Sequence, residues 1–199
     1  MKMTEKETKN KTLIKNRKVA ETGIFLALFL GLAYTFSYIP NLEFITLTAF
    51  LAGLLLGWKR GLFVALLGEG IFSIANPFGS SLAFPSLLAA QLLGFALVAT
   101  AGALSRLFIP RLLKKGKLSA ALILGAEGLL LTFLYNVLTT LSFTLTSGYN
   151  AEQTLATIIS GIPFYLVNMI ANTLSFSILT VLVLRYVLLH YPHYLKGEQ

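Results

Sequence analysis

The sequence predicts an all-α membrane protein of six transmembrane helices with both termini in the cytoplasm. Three observations carry this expectation. Of 199 residues, 56% are hydrophobic and only 12% charged, and the mean hydropathy is +0.76, outside the usual composition of soluble domains. The apolar residues gather into long runs rather than period-two alternation. All sixteen Lys and Arg fall at every second junction between those runs, so threading the chain through a bilayer brings them to one face, as the positive-inside rule demands of cytoplasmic segments. The net charge of +8 thus speaks of orientation in a membrane rather than of nucleic acid.

Residues 1–18 hold seven of the cations and read as a polar cytoplasmic arm suited to anionic lipid. The stretch from Thr22 to Leu42 has no charge over 21 residues, enough at about 1.5 Å per residue to cross roughly 30 Å of hydrocarbon. It is too long, and lacks the cleavage site, for a removable signal. Pro40 and Asn41 close this span on the outer side. The second span runs from Leu42 to Gly57, the Trp58-Lys59-Arg60-Gly61 segment turns in the cytoplasm, and the third runs from Leu62 to Ala75. A re-entrant hairpin over spans two and three would leave Lys59 and Arg60 near mid-membrane at several kcal/mol each, so crossing is the better reading. Asn76-Pro-Phe-Gly-Ser-Ser81 is turn chemistry, and Pro85 fits the first turn of the fourth span, Ser86 to Leu107. Residues 106–117 form a second basic loop, span five covers Leu118 to Leu145, and residues 146–161 read as the longest internal loop. Span six runs from Ile162 to Leu184 and continues toward His190. The transmembrane domain is therefore 19–190, followed by a cytoplasmic tail at 191–199.

Polar groups inside a membrane are costly unless paired or lining a cavity. Asn41, Asn76, Gln91, Asn136, Tyr165, Asn168 and Asn172 gather toward the outer end, the last three at i, i+3 and i+7 on one helical stripe. Amides and a phenol both donate and accept, so with aromatic walls they suit a small neutral heteroaromatic ligand; the alternative is interhelical bonding. Glu69 and Glu127 lie near mid-span and are read as structural. With no cysteine and no aspartate, and no phosphate loop or His-Glu-x-x-His spacing, the chain lacks the usual parts of an enzyme, a thiolate metal site or a resident cofactor site. On the first span, Ala20, Gly23, Ala27 and Gly31 recur at i, i+3, i+7 and i+11 and leave one face flat, which lets another backbone approach. That face packs either within the chain or against a separate membrane subunit.

These features together, the Ala20/Gly23/Ala27/Gly31 stripe and the Pro40-Asn-Leu-Glu-Phe-Ile-Thr-Leu hairpin within six short spans, resemble the substrate-binding S components of energy-coupling factor (ECF) transporters over residues 19–190. Two glycines stand where the family's small-residue signature usually has alanine. The resemblance implies a multi-pass protein of a prokaryotic-type cell membrane that binds a vitamin-like micronutrient from outside. It also implies partners, a transmembrane coupling subunit and two cytosolic ATPases, and release by toppling in the membrane. The charge map adds that the outer side has no Lys or Arg. An anionic ligand would be desolvated there without a counter-charge, so a neutral or cationic one is favoured, related to riboflavin, cobalamin or thiamin, with Glu43 or Glu152 available to a cation. The competing class is a non-transport membrane protein, an assembly factor or an ion-conducting oligomer.

Single cysteines test the orientation in a chain that has none. In intact cells Asn150→Cys is expected to react with a membrane-impermeant thiol reagent and Lys59→Cys to stay silent; the opposite pattern inverts the topology.

Overall fold

The computed structural model describes residues 5–39 and 43–191, and among them every regular element is helical. Asn41, one of the expected site residues, lies outside the described residues. The helices are α1 (Glu5–Phe36), α2 (Ile45–Leu56), α3 (Trp58–Ile74), α4 (Pro85–Ser105), α5 (Ile109–Lys115), α6 (Lys117–Thr146), α7 (Ala151–Ser175) and α8 (Val181–His190), the last two joined without a break through a π-helical turn at Phe176–Thr180. Four helical stretches, Lys9–Phe36, Pro85–Ser105, Lys117–Thr146 and Ala151–His190, are long and apolar enough to cross a bilayer. This is the architecture of an all-α, membrane-embedded protein.

Four expectations change. The basic arm is not separate from the first span: α1 is one helix back to Glu5, because its Lys- and Glu-rich sequence has high helix propensity. Arg17 Nε also donates to Glu21 Oε1 one turn away at 2.8 Å, and Glu21 Oε2 accepts from Arg60 at 2.9 Å. The Trp58–Gly61 segment is already the first turn of α3, since Gly57, at φ +85°, reverses the chain by itself; only glycine takes that conformation without strain. Most of the expected 146–161 loop is helix. A capping box starts α7 at Asn150, whose Oδ1 accepts from the Gln153 N–H at 2.8 Å while Gln153 Oε1 accepts from the Asn150 N–H at 2.9 Å, satisfying two amides left orphaned at the helix start. The basic 106–117 segment also folds, as α5, which buries Ile109 and Leu113.

All twelve residues of α2 are buried, and α1, α3, α4 and the α7–π segment surround it. Such enclosure requires backbones to touch. A methyl group placed on Gly53 of α2 would collide with the Ala99 carbonyl of α4, one on Gly102 of α4 with the Phe50 carbonyl of α2, and one on Gly61 of α3 with the backbone of Gly53. Around this contact Phe50 packs on Phe176 with ring centroids 4.9 Å apart, and Phe29 on Phe95 at 5.5 Å, separations at which tilted and edge-on aromatic pairs are favourable.

Gly102→Ala is expected to destabilise the purified protein by about 1–3 kcal/mol or more, because the obstructing atom is backbone and cannot swing away. Gly23→Ala, where nothing lies within 4 Å, is expected to gain about 0.5–1 kcal/mol from helix propensity. Thermal unfolding of the two variants checks both signs; equal behaviour would refute the role given to the α2–α4 approach.

Candidate ligand site

At the end of the bundle where α2 begins, a cavity of about 270 Å³ opens to one side. Its walls come from α1 and the residues after it, the start of α2, the end of α3 and the middle of α6 and α7. The aromatic part is Phe36, Phe72, Phe78 and Tyr135, and the polar part is Ser37, Glu43, Asn76, Asn136 and Asn168. Among the described residues, no Lys, Arg or His lines it.

Glu43 is the centre of the polar part. Its carboxylate accepts from Thr46 Oγ1 at 3.2 Å and from Asn168 Nδ2 at 3.4 Å, and Asn172 faces it without closing a bond of ordinary geometry. Glu43 precedes α2, so its fixed position follows from the burial of that helix. Glu69 of α3, 2% exposed, accepts from Ser73 Oγ at 2.7 Å; its second oxygen is buried without a partner. Glu69 and Glu43 lie within electrostatic reach of each other and of Tyr135. Glu69 itself is not among the residues that line the cavity.

The expected residues divide as follows. Asn76, Asn136 and Asn168 line the cavity. Asn76 Oδ1 accepts from the Phe78 N–H at 2.8 Å and holds the turn that carries Phe78, while Asn136 Nδ2 and Asn168 Oδ1 are buried with no protein partner. Asn172, 1% exposed, stands beneath Glu43. Gln91 faces the Tyr135 hydroxyl from behind and does not reach the cavity wall. Tyr165 turns elsewhere: its ring lies over Gly161, its hydroxyl bonds Thr140 at 2.6 Å, and it lines an apolar groove between α6 and α7. Glu127 ties α6 to α4 by accepting from Ser105 Oγ at 2.6 Å. Glu152 is exposed in the first turn of α7, which leaves Glu43 as the acidic group at the cavity. No cluster of His, Cys, Asp and Glu able to hold a metal occurs among the described residues.

The small-residue stripe of α1 is outside the bundle. Ala20, Gly23, Ala27 and Gly31 are all exposed, and an added methyl on Gly23 or Gly31 would meet no atom within 4 Å. The same helix packs inward through Phe29 and Ala33. Groups that sequence reasoning passed over are the Phe36, Phe72 and Phe78 rings, and Thr46 as a partner of Glu43. Thr46, three residues past Glu43, is the signal that could have been read.

No family model matches the sequence, no curated protein matches it, and no solved structure matches it.

For a small molecule held in this cavity, Asn168→Ala is expected to weaken binding about 5- to 150-fold, the loss of one buried hydrogen-bond partner. Tyr165→Phe is expected to stay within about twofold, since its hydroxyl is engaged by Thr140. Dissociation constants for the co-purified molecule check this, and the reverse order would move the site to the α6–α7 groove.

Proposed function

We propose that this chain is the substrate-binding S component of an ECF-type uptake transporter. In this reading it lies in a prokaryotic-type cell membrane as six spans with both termini in the cytoplasm. It takes a neutral or cationic vitamin-like molecule from outside, and ATP hydrolysis belongs to its partners. The observation that carries the reading is the half-open cavity with aromatic walls, converging amides and no basic residue, at the end of the bundle opposite Lys59, Arg60 and the 106–117 segment. Small-molecule sites have this composition, mostly apolar with a few placed polar groups. The volume, at the small end of ligand pockets (about 300–1,000 Å³), favours a riboflavin- or thiamin-related molecule over a corrinoid.

The second support is the flat face of α1. Ala20, Gly23, Ala27 and Gly31 point away from their own bundle, so the in-chain use of the stripe loses its partner helix. In lipid an open small-residue face gains dispersion contacts when another helix lies against it. We assign this face to the coupling subunit, which with two cytosolic ATPases completes the transporter.

Ala27→Leu separates the possibilities. It is expected to leave the thermal stability and ligand affinity of the isolated chain unchanged, while abolishing co-purification with a co-expressed coupling subunit and its ATPases, and with it ATP-driven uptake. A leucine holds the opposing backbone off by more than the ångström over which dispersion attraction decays. Normal assembly of Ala27→Leu would remove the docking role of the α1 face, and failure of the parent chain to assemble would remove the transporter reading and favour a non-transport membrane protein.

A further inference from the structure

A second hollow, of about 730 Å³, lies between α1 and the start of α3, at the other end of the bundle from the Glu43 cavity. Its lining residues Lys11, Lys15, Lys18, Thr22 and Leu26 fall at i, i+4, i+7, i+11 and i+15 and form one stripe of α1. The stripe changes character along its length. Its first half carries three ammonium groups, and Arg60 of α3 closes the same half. Its second half is apolar, with Val19, Gly23 and Leu26 on α1 and Phe63 on α3. The Thr22 hydroxyl there is engaged inside its own helix, donating to the Lys18 carbonyl at 2.8 Å. The change falls where the chain enters the hydrocarbon, since Thr22 opens the uncharged run of the first span. From Lys18 to Leu26 the helix rises about 12 Å, within one leaflet of a hydrocarbon core about 30 Å thick.

The charged half is a built site. Arg60 donates to Glu21 Oε2 at 2.9 Å and to the Leu56 carbonyl at 3.1 Å, and its guanidinium lies 3.5 Å from the Lys18 carbonyl, so it ties α3 to α1 and sets the separation of the two walls. Glu21 also accepts from Arg17 at 2.8 Å, so this one acid serves two guanidiniums and leaves the lysine charge in excess. Among the described residues no Asp or Glu lines the groove. At the other half Val19 is 65% and Phe63 54% exposed, so the apolar walls face outward.

We propose that this groove binds one anionic phospholipid, its phosphate held by Lys15 and Lys18 and one acyl chain lying on Val19, Gly23, Leu26 and Phe63. A lipid joins charge and chain at the depth where the groove changes character. A soluble anion would use only the charged half, and an acidic protein segment would have to lay polar groups along the apolar half, inside the hydrocarbon. The lysine stems lie along apolar surface while their ammonium groups stay at headgroup level. The one-sided cations assign this end to the cytoplasmic leaflet, where basic pockets between helices hold anionic headgroups. The inference goes beyond the transporter reading and needs only a membrane-embedded chain.

The purified full chain in detergent is titrated with dioleoyl phosphatidylglycerol and with dioleoyl phosphatidylcholine, which share their chains and differ in headgroup charge, and bound lipid is counted by native mass spectrometry. One phosphatidylglycerol is expected to bind at least about tenfold more tightly than phosphatidylcholine. Lys15→Gln combined with Lys18→Gln is expected to erase that preference, each lysine being worth about fivefold near an anionic headgroup. Lys114→Gln combined with Lys115→Gln makes the same change of net charge on α5 and is expected to leave the preference within about twofold. Phe63→Ala is expected to weaken both lipids about threefold or more by removing apolar wall. The substituted side chains are exposed or half-buried, so thermal unfolding of every variant is expected to match the parent. Equal binding of the two lipids, an equal loss in the α5 pair, or an unchanged Phe63→Ala overturns the inference. Glycerol phosphate binding as tightly as phosphatidylglycerol also overturns it and makes the groove a soluble anion's site, and the absence of a one-to-one phosphatidylglycerol adduct overturns it and leaves the lysines to an acidic protein segment. Selective lipid binding by a chain that never assembles with a coupling subunit sustains it.

Discussion

The structure depends on the backbone contact among α2, α3 and α4. A helix of twelve residues with no exposed side chain has no surface to orient it by hydrophobic contrast, and in lipid apolar side chains gain nothing by leaving their surroundings for one another. What holds it is close approach, and close approach is available because Gly53, Gly61 and Gly102 carry no Cβ where carbonyls and α-carbons of neighbouring helices arrive. The aromatic pairs around the crossing fill the space that three near-touching backbones leave. The position of α2 is therefore fixed, and so are the residues at its two ends, Glu43 with Thr46 at one and the left-handed Gly57 at the other.

Fixing Glu43 makes its environment meaningful. Water or lipid headgroups could solvate a carboxylate on a loose loop. Held beside Asn168 and under the α6–α7 wall, it has a bond to Thr46, one to Asn168 and the field of the first turn of α2, whose positive end offsets part of its charge. The nearby unpartnered atoms, Asn136 Nδ2, Asn168 Oδ1 and both amide atoms of Asn172, are concentrated around the same place. Buried polar groups without partners each cost about 1–3 kcal/mol. Asn136 and Asn168 both line the cavity, so two of these atoms belong to residues of its wall.

Much of the helical layout was legible because charge and proline write it plainly. Pro85 sits at the first turn of α4 and Lys117 opens α6, near where the sequence places them. The start of α7 was not legible from hydropathy, since Glu152, Gln153 and Thr154 look like loop; yet the Asn150-x-x-Gln153 spacing of a capping box was there to be read. The site was half legible. Helical spacing shows that Tyr165, Asn168 and Asn172 share a stripe, but not which neighbour the stripe meets. Long side chains also lean back one turn along a helix, which carries the Tyr165 ring over Gly161 and onto Thr140 while Asn168 faces Glu43. The small-residue stripe misleads in a different way. Its spacing on α1 is correct, yet inside this chain backbones meet at other small residues, Ala49, Gly53 and Gly57 along α2 and Gly61, Ala65 and Gly68 along α3, which recur at the same helical spacing.

The shortness of α2 also sets the depth of the cavity. Twelve residues reach only about 18 Å, whereas the hydrocarbon core is about 30 Å thick. Surrounded by longer neighbours, α2 stops short, and the hollow lined by Glu43 and Ile45 lies over its first turn. The recess is an omission in the bundle rather than a channel carved through it: its floor is a helix end, its walls are flanking helices that continue past it, and its depth is counted in missing turns. A molecule resting there would touch only one end of the protein.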